Sequence, residues 1–143
     1  RRSSDLVWET AESFTELAAS AGHPLTVQVT EGLVCCGDEY AVRQLTSILL
    51  DNAVKYAAPD SPITLTLEKS RRGVVLRTTN RCEDAAHIDT AKLFDRFYRA
   101  DPSRTAGGFG IGLSIARSIA EGHRGSISAA VDGDTITFTA ELR

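Results

Sequence analysis

One long amphipathic segment constrains the fold of this chain most. From Asp38 to about Ala57, apolar side chains recur at three- and four-residue intervals along one stripe, which predicts a helix. The members of the stripe are Ala41, Leu45, Ile48 and Leu49. We expect the helix to end before Pro59, because the residue preceding a proline is driven away from helical backbone. A helix with such a stripe has to bury it against another apolar layer.

Strand patterns in the rest of the chain supply that layer. Stretches typical of strands run over Leu25–Val29, Leu33–Cys36, Ile63–Glu68, Val74–Thr79, Ser126–Val131 and Thr135–Leu142. Turn residues join two pairs of them, at Ser70–Gly73 and at Asp132–Asp134. The mixture of helices with paired strands predicts an α+β fold, in which a helix layer packs on a largely antiparallel sheet.

Helical patterns also occur towards both ends. One helix is predicted from Leu6 to about Ala21, with Ser3–Asp5 as capping residues. Gly110–Gly112 leads into another, which carries Leu113 and stops at Gly122. A short helix is expected around Thr90–Phe94. The following residues, Arg99 to Gly110, carry no secondary-structure signal, and a loop of that length inside a compact domain is usually functional.

Composition excludes several classes of protein. The chain has 143 residues, about one average domain, and its 16 Lys and Arg against 19 Asp and Glu give a net charge of −3, which excludes a strongly basic nucleic-acid binder. No apolar run is long enough for a membrane span and no signal peptide is evident, so we expect no membrane contact by this segment. Cys35, Cys36 and Cys82 lack the spacing of a zinc or redox motif and are expected to be small buried residues in a reducing compartment. The start at Arg1 and the absence of Met indicate a piece of a longer protein.

A polar amide interrupts the stripe of the long helix. By helical spacing the stripe continues onto Asn52 and Tyr56, with Lys55 one position aside. An unpaired buried amide costs about 1–3 kcal/mol, so Asn52 has to meet donors, acceptors or a metal. Taken alone, Asn52 is equally well explained as a core amide bonded to backbone, and Lys55 as a solvated surface residue.

Three other segments carry chemistry without being specific on their own. The glycine-rich run Gly107–Leu113 leads into a helix, where bare N–H groups favour an anion, although a flexible hinge explains it as well. The run Leu93–Arg99 contains arginines, which suit phosphate binding. It is also explained as aromatic residues of the core beside arginines on the surface. Asn80 ends a strand and is turned inward with Thr78, where its amide can bond a nucleobase edge or cap the turn that follows.

Together these segments resemble the catalytic, ATP-binding domain of sensor histidine kinases, whose nucleotide fold is shared by gyrase-type, chaperone and mismatch-repair ATPases (the GHKL superfamily). Leu49–Tyr56 is similar to the family's asparagine box, Leu93–Arg99 to its phenylalanine box, and Gly108–Ser114 to its second glycine box. The resemblance implies a two-layer α/β sandwich of the Bergerat type, with about three helices on one face of a mixed, mainly antiparallel sheet. It also implies a mobile ATP lid at Pro102–Phe109.

The resemblance assigns roles to individual residues. Asn52 would coordinate Mg²⁺ that bridges the ATP phosphates, Lys55 would reach a phosphate, and Arg99 would approach the γ-phosphate; these three are the expected catalytic residues. Tyr56 would pack near the adenine and ribose, and Asn80 would bond the adenine amino group.

The glycine-rich segment has two implied roles. It would hinge the lid through Gly108, Gly110 and Gly112. It would also present a helix start to the phosphates, through Gly110, Ile111, Gly112 and Leu113.

Two departures from the family pattern stand out. The family's first glycine box begins with Asp and has glycines two and four residues later, where this chain carries Asn80, Cys82 and Asp84. The amide of Asn80 keeps an acceptor oxygen without the charge, and the loss of both glycines predicts a differently shaped loop with weaker nucleotide binding. Many relatives also carry an Asn where Ile48 stands, which leaves Asn52 and water to hold Mg²⁺.

The resemblance also sets the expected reaction and partners. The family transfers the γ-phosphoryl group to a histidine on a separate dimerisation domain, and no such helix is evident here; His23, His87 and His123 are expected to be structural or solvent-facing. Residues 1–143 are therefore expected to form a single catalytic domain that binds ATP and Mg²⁺ without phosphorylating itself. Its implied partners are that dimerisation domain and a response regulator, and its implied location is the cytoplasmic side of a membrane-anchored sensor kinase.

Two alternatives remain open. An anti-sigma-type serine kinase has the same fold, although the phenylalanine box argues against it. A nucleotide-sensing or docking domain without efficient catalysis is suggested by Cys82 and Asp84 in place of glycines.

Overall fold

The computed structural model describes residues 2–35, 37–96, 98 and 112–143. Within these ranges the α-helices are α1 (Ser3–Ser20), α2 (Glu39–Tyr56) and α3 (Gly112–Gly122). The strands are β1 (Leu25–Val29), β2 (Ile63–Lys69), β3 (Val74–Arg81), β4 (Ser126–Asp132) and β5 (Thr135–Leu142). A single 3₁₀ turn, Ala85–His87, follows β3 in the described part of the chain.

The strands form one mixed sheet in the order β1-β2-β3-β5-β4. β1 pairs with β2 in parallel, and the other three pairs are antiparallel. The register aligns Leu67 with Leu76, and Leu76 with Ala140. This arrangement confirms the prediction of a mixed, mainly antiparallel sheet.

The three helices cover one face of the sheet. The largest fully buried side chains on that face include Leu65, Leu76 and Phe138 from the strands, and Leu45 and Leu49 from α2. The opposite face carries a set of half-buried threonines, Thr64, Thr66, Thr79, Thr137 and Thr139. The predicted α+β fold with two layers is therefore confirmed.

Local signals explain both ends of α2. The Asp38 carboxylate accepts a hydrogen bond from the Tyr40 N–H at 2.9 Å and caps the first turn, as Asp does at helix starts. At the other end Ala57 has extended backbone, with φ −62° and ψ 140°, two residues before Pro59. The capping side chain and the proline define the helix that carries Asn52 and Lys55.

The prediction that Ser3–Asp5 cap α1 is wrong, and so is the predicted strand at residues 33–36. Arg2 is the N-cap and makes no side-chain capping bond. Ser3 lies inside the helix, and its hydroxyl accepts the N–H of Cys35 at 2.9 Å, while the Ser4 N–H donates to the carbonyl of Leu33 at 3.3 Å. Residues 33–35 therefore bond to the start of α1 rather than to a neighbouring strand; Cys36 lies outside the described residues.

The predicted short helix at Thr90–Phe94 is also wrong. The chain makes turns there, with bonds from the Lys92 N–H to the Asp89 carbonyl and from the Asp95 N–H to the Lys92 carbonyl. Each of these bonds spans three residues and closes a single turn, and they do not follow one another as the bonds of a helix do. The predicted loop and ATP lid at 99–110 lie outside the described residues.

Candidate functional site

Helix α2 places Asn52 against the interior. Its side chain is 7% exposed, in a stretch where Leu49, Leu50 and Ala53 are buried. The sequence prediction of an inward amide in an apolar stripe is therefore confirmed. Its assignment as a metal ligand stays a prediction.

Lys55 and Tyr56 end α2 on two different sides. The Lys55 ammonium lies at the surface, 2.9 Å from the Asp51 carboxylate one helical turn earlier. The hydrogen bond to Asp51 and the charge of that carboxylate raise the pKa of Lys55, so its positive charge persists at neutral pH. Tyr56 is half-buried and packs against the core. The end of α2 thus carries the ammonium of Lys55 and the aromatic ring of Tyr56.

Asn80 lies at the end of β3, next to the end of α2. Its side chain is 3% exposed, and its Nδ2 donates to the carbonyl oxygen of Arg81 at 2.8 Å. The same carbonyl accepts the N–H of Ala58, also at 2.8 Å, and so ties the end of α2 to the end of β3. The Oδ1 of Asn80 is buried and has no hydrogen-bond partner among the described residues. The structure thereby holds an acceptor ready at the position that the sequence proposed for base recognition.

The turn after β3 is tied to the β4–β5 hairpin. The Cys82 N–H donates to the carbonyl of Asp134 at 2.7 Å, and the Arg81 guanidinium donates twice to the Asp134 carboxylate, at 2.9 and 2.6 Å. The bonds from Arg81 lower the pKa of Asp134. Asp84 then adopts a left-handed conformation, with φ 59° and ψ 25°. This conformation favours glycine, and aspartate is one of the few other residues that tolerate it.

We expect Asp84→Gly to raise the free energy of unfolding by up to about 1 kcal/mol, because glycine adopts positive φ without steric cost. Urea denaturation monitored by circular dichroism measures this difference. Glu83→Gly is the matched control, since Glu83 has no positive φ and glycine there only adds backbone entropy to the unfolded chain. Equal destabilisation by the two variants would contradict the account of Asp84.

The segment that follows is anchored to the sheet by its aromatic residues. Leu93 is fully buried, and the ring of Phe94 meets that of Phe138 edge-on, with centroids 6.1 Å apart. The Tyr98 hydroxyl accepts the N–H of Asp89 at 3.1 Å. Core packing thus explains the aromatics in the described part of this segment, while Arg99 lies outside it.

The start of α3 packs on α2 one turn before Asn52. A Cβ added to Gly112 would lie 3.6 Å from the Cγ2 of Ile48, and Leu113 is buried. The structure therefore brings the beginning of α3 near the helix that carries Asn52 and Lys55. The other expected contacts of this segment, Gly108, Gly110 and Ile111, fall outside the described residues.

Two of the three histidines are bonded to backbone carbonyls. Nδ1 of His23 bonds the Ser61 carbonyl at 2.9 Å, and Nδ1 of His123 bonds the Ile119 carbonyl at 2.8 Å; His87 is exposed. Neither Cys35 nor Cys82 forms a disulfide, and no group of three or more His, Cys, Asp or Glu within the described ranges could hold a metal ion. In those ranges there is also no helix with the length and apolarity that a membrane span requires.

Sequence reasoning missed two features beside the candidate residues. The Arg81 carbonyl joins the two elements that carry the candidate residues, but backbone atoms leave no mark in a sequence. Thr78, two residues before Asn80, is fully buried, and its hydroxyl has no partner among the described residues. Its position on the inward face was evident from the strand alternation, and that signal could have singled it out.

Comparisons with known proteins identify the family of this chain. The family model described as "Histidine kinase-, DNA gyrase B-, and HSP90-like ATPase" matches residues 37–143. The probable sensor protein PcoS of Escherichia coli is 40% identical over 136 residues, which are 94% of this chain and 29% of that protein. The sensor histidine kinase RppB of Synechocystis is 33% identical over 142 residues, 96% of this chain and 31% of that protein. This chain thus spans about three-tenths of the length of these relatives.

Solved structures show the same fold. The catalytic domain of the histidine kinase ThkA superposes with a TM-score of 0.83 at 24% identity, over 96% of this chain and 90% of that one. The mycobacterial sensor histidine kinase MprB gives a TM-score of 0.77 at 20% identity, over 97% of this chain and 95% of that one. On the match of the family model, this chain belongs to the histidine kinase-, DNA gyrase B- and HSP90-like ATPase family.

Proposed function

We propose that this chain is the ATP-binding catalytic domain of a sensor histidine kinase, which binds Mg-ATP and donates the γ-phosphoryl group to a histidine on a separate dimerisation domain. The observation that carries the proposal is the buried Oδ1 of Asn80, which has no partner among the described residues and lies beside the helix of Asn52 through the shared Arg81 carbonyl. A buried polar atom without a partner costs about 1–3 kcal/mol. A ligand that donates to Asn80 removes that cost.

The base of ATP supplies such a donor. The exocyclic amine of adenine carries two N–H groups, and an amide oxygen accepts one of them. Tyr56, half-buried at the end of α2, offers an aromatic surface in the same region. The predicted binding of adenine and ribose by Asn80 and Tyr56 is thus supported by burial and position.

The phosphates are assigned to the end of α2. Asn52 supplies an oxygen ligand of the kind that Mg²⁺ prefers, and Mg²⁺ usually keeps several waters beside one or two protein ligands and substrate phosphates. The fit is adequate without a second amide at Ile48. When bound, Mg²⁺ neutralises charge on the phosphates of the transferring group. Lys55 adds a positive charge at the surface end of α2. Its ammonium can leave the Asp51 carboxylate and bind a phosphate oxygen instead.

The remaining catalytic groups stay predictions from the sequence. Arg99 is assigned to the γ-phosphate, and the segment Gly108–Gly112 to the lid hinge and the phosphate-facing helix start. We infer that residues 1–143 act as one catalytic domain whose acceptor histidine lies elsewhere in a longer, membrane-anchored protein, with this domain in the cytoplasm. In support, His23 and His123 are bonded to backbone within the fold.

A response regulator is the proposed downstream partner. The histidine kinase ThkA has been solved in complex with the response regulator protein TrrA, and this chain superposes on that kinase with a TM-score of 0.75 at 20% identity. The relatives PcoS and RppB carry the names of sensor proteins. This chain would then act in signalling by supplying phosphoryl groups to the dimerisation domain, from which the regulator takes them.

Isothermal titration calorimetry with ATP tests the proposal. We expect saturable binding of ATP in the presence of Mg²⁺ and much weaker binding after chelation with EDTA, because the metal links the phosphates to Asn52. Incubation with radiolabelled ATP should leave the chain itself unlabelled and should label an added dimerisation domain that carries the acceptor histidine. Absence of any binding at millimolar ATP would overturn the proposal, whereas binding without transfer would favour a nucleotide-sensing domain.

A further inference from the structure

The turn that follows β3, Cys82–Asp84, carries side chains at both positions where the family pattern has glycines. Asp84 adopts a left-handed backbone, with φ 59°, which costs an aspartate more than a glycine. Cys82 is buried, and its N–H donates to the carbonyl oxygen of Asp134 at 2.7 Å. A turn built from these residues therefore depends on contacts with its surroundings to stay in place.

Asp134, at the tip of the β4–β5 hairpin, supplies those contacts. Its backbone carbonyl accepts the Cys82 N–H, and its carboxylate oxygen Oδ2 accepts Nε–H and Nη2–H of Arg81, at 2.9 and 2.6 Å. One residue of the hairpin thus binds both the last residue of β3 and the first residue of the turn. These bonds join positions 53 residues apart in the sequence, so the turn is held by a distant segment and not by its own neighbours.

The geometry of this ion pair places it among the stronger exposed pairs. The side chains of Arg81 and Asp134 are 59% and 56% exposed, and exposed pairs change an equilibrium by at most about fivefold. Two N–H groups on one oxygen fix the orientation of the planar guanidinium, which a single bond would leave free. An equilibrium that the pair controls should therefore change by an amount near that upper limit when either side chain is removed.

We propose that the ion pair of Arg81 and Asp134 is a clasp that holds the turn Cys82–Asp84 closed on the β4–β5 hairpin, and that Mg-ATP binds while the turn is closed. Arg81 and Asp134 are then positioning residues, which act on the nucleotide through the turn beside Asn80. The clasp is separate from the backbone link through the Arg81 carbonyl. The proposal rests on the function proposed above, namely that this site takes ATP. It also explains how the chain keeps a defined turn without the two glycines.

Labelling of the Cys82 thiol measures how often the turn opens, because a buried thiol reacts only from an open state. The chain has three cysteines, so Cys35→Ser and Cys36→Ser leave Cys82 as the only thiol. In this background Arg81→Ala and Asp134→Ala should each speed the reaction with the thiol reagent DTNB by about two- to fivefold, the effect of one exposed ion pair. The double variant should react no faster than either single variant. Exchanging the two residues, Arg81→Asp with Asp134→Arg, should restore the slow reaction.

Two controls separate the clasp from a general loss of stability. Arg77→Ala removes another arginine from the same face of β3, whose ion pair with Glu68 at 3.6 Å lies away from the turn, and it should leave the labelling rate unchanged. Low urea concentrations should not speed the labelling of Cys82 in the clasp variants, because local opening exposes little surface, whereas labelling through global unfolding rises steeply with urea.

Labelling in the presence of ATP tests the coupling of the turn to the nucleotide. With Mg²⁺ and ATP at ten times its dissociation constant, labelling of Cys82 should slow about tenfold, because the nucleotide binds only the closed turn. The affinity of Arg81→Ala for ATP should fall by no more than the factor by which its labelling rises, since binding first has to close the turn.

The outcomes also separate this inference from the proposed function. Clasp variants that react at the wild-type rate, or effects that add in the double variant, overturn the clasp and leave ATP binding intact. Labelling that ATP does not slow, in a chain that binds ATP, overturns the coupling. A chain that binds no ATP overturns the proposed function and the coupling together, while the labelling rates without nucleotide still decide whether the clasp holds the turn.

Discussion

Asn52→Ala is expected to lower the affinity for Mg-ATP by about 100-fold or more while leaving the fold intact. Mutating even the outer partners of metal ligands costs about 10–100-fold, and Asn52 is the only side chain assigned to the metal here. With Ile48 one turn earlier, no second amide on the same face can replace it. Removal of the Asn52 amide should therefore remove the metal-mediated contact between the protein and the ATP phosphates.

Calorimetry in the presence and absence of Mg²⁺ measures this effect. The variant should bind ATP equally weakly in both conditions, because the metal no longer joins the nucleotide to α2. Gln44→Ala is the matched control: it deletes another amide from the same helix, two turns earlier, and should leave the affinity unchanged. Wild-type affinity and Mg²⁺ dependence in Asn52→Ala would remove Asn52 from the site.

The stability of Asn52→Ala distinguishes a ligand from a core amide. Alanine is the best helix former, so the free energy of unfolding should change by no more than about 1 kcal/mol if Asn52 serves the nucleotide. A core amide with its own structural bonds would show the opposite result: a clear loss of stability and little change in binding.

Elements whose signals are local were predictable from the sequence. The stripe, Asp38 and Pro59 lie within or beside α2, and they were sufficient to place the helix and the inward amide of Asn52. The alternation in β3 likewise placed Asn80 on the inner face. In each case the residues that decide the structure are neighbours in the chain.

Features that depend on distant partners were not predictable. Ser3 has the side chain of a capping residue, but its partner is the N–H of Cys35, 32 positions away, and this bond replaces both the expected cap and the expected strand. Residues 90–94 were expected to form a short helix, but their backbone bonds close single turns that do not continue into a helix. The alternation of β3 showed which way Thr78 points, but it could not show that its hydroxyl lacks a partner in the part of the chain that the structure describes.

The candidate site was likewise predictable only in part from the sequence. The sequence located Asn52, Lys55, Tyr56 and Asn80, and the resemblance gave each of them a role. The structure added the physical link between them, the Arg81 carbonyl that receives both the Asn80 amide and the Ala58 N–H. Because the shared acceptor is a backbone carbonyl, the link does not depend on which side chain stands at position 81.

Gly125→Ala is expected to lower the free energy of unfolding by about 3 kcal/mol. Gly125 joins α3 to β4, and a Cβ there would overlap the carbonyl oxygen of Glu141 on the neighbouring strand. The obstacle is backbone in a paired strand, which cannot move aside without breaking the β4–β5 pairing next to Ser126. Forced overpacking of this kind costs about 1–3 kcal/mol, and backbone obstacles lie at the upper end.

The neighbouring Gly122→Ala variant is the control, because a Cβ at Gly122 meets open space at the end of α3, where alanine should be neutral or stabilising. Thermal unfolding should show a midpoint lower by about 10 °C for Gly125→Ala only. At a temperature where both variants remain folded, their affinities for Mg-ATP should equal that of the wild type, because neither residue touches the site. Asn52→Ala should therefore lose affinity but keep its stability, and Gly125→Ala should lose stability but keep its affinity. Loss of both properties in each variant would mean that the sheet edge and the nucleotide site are coupled.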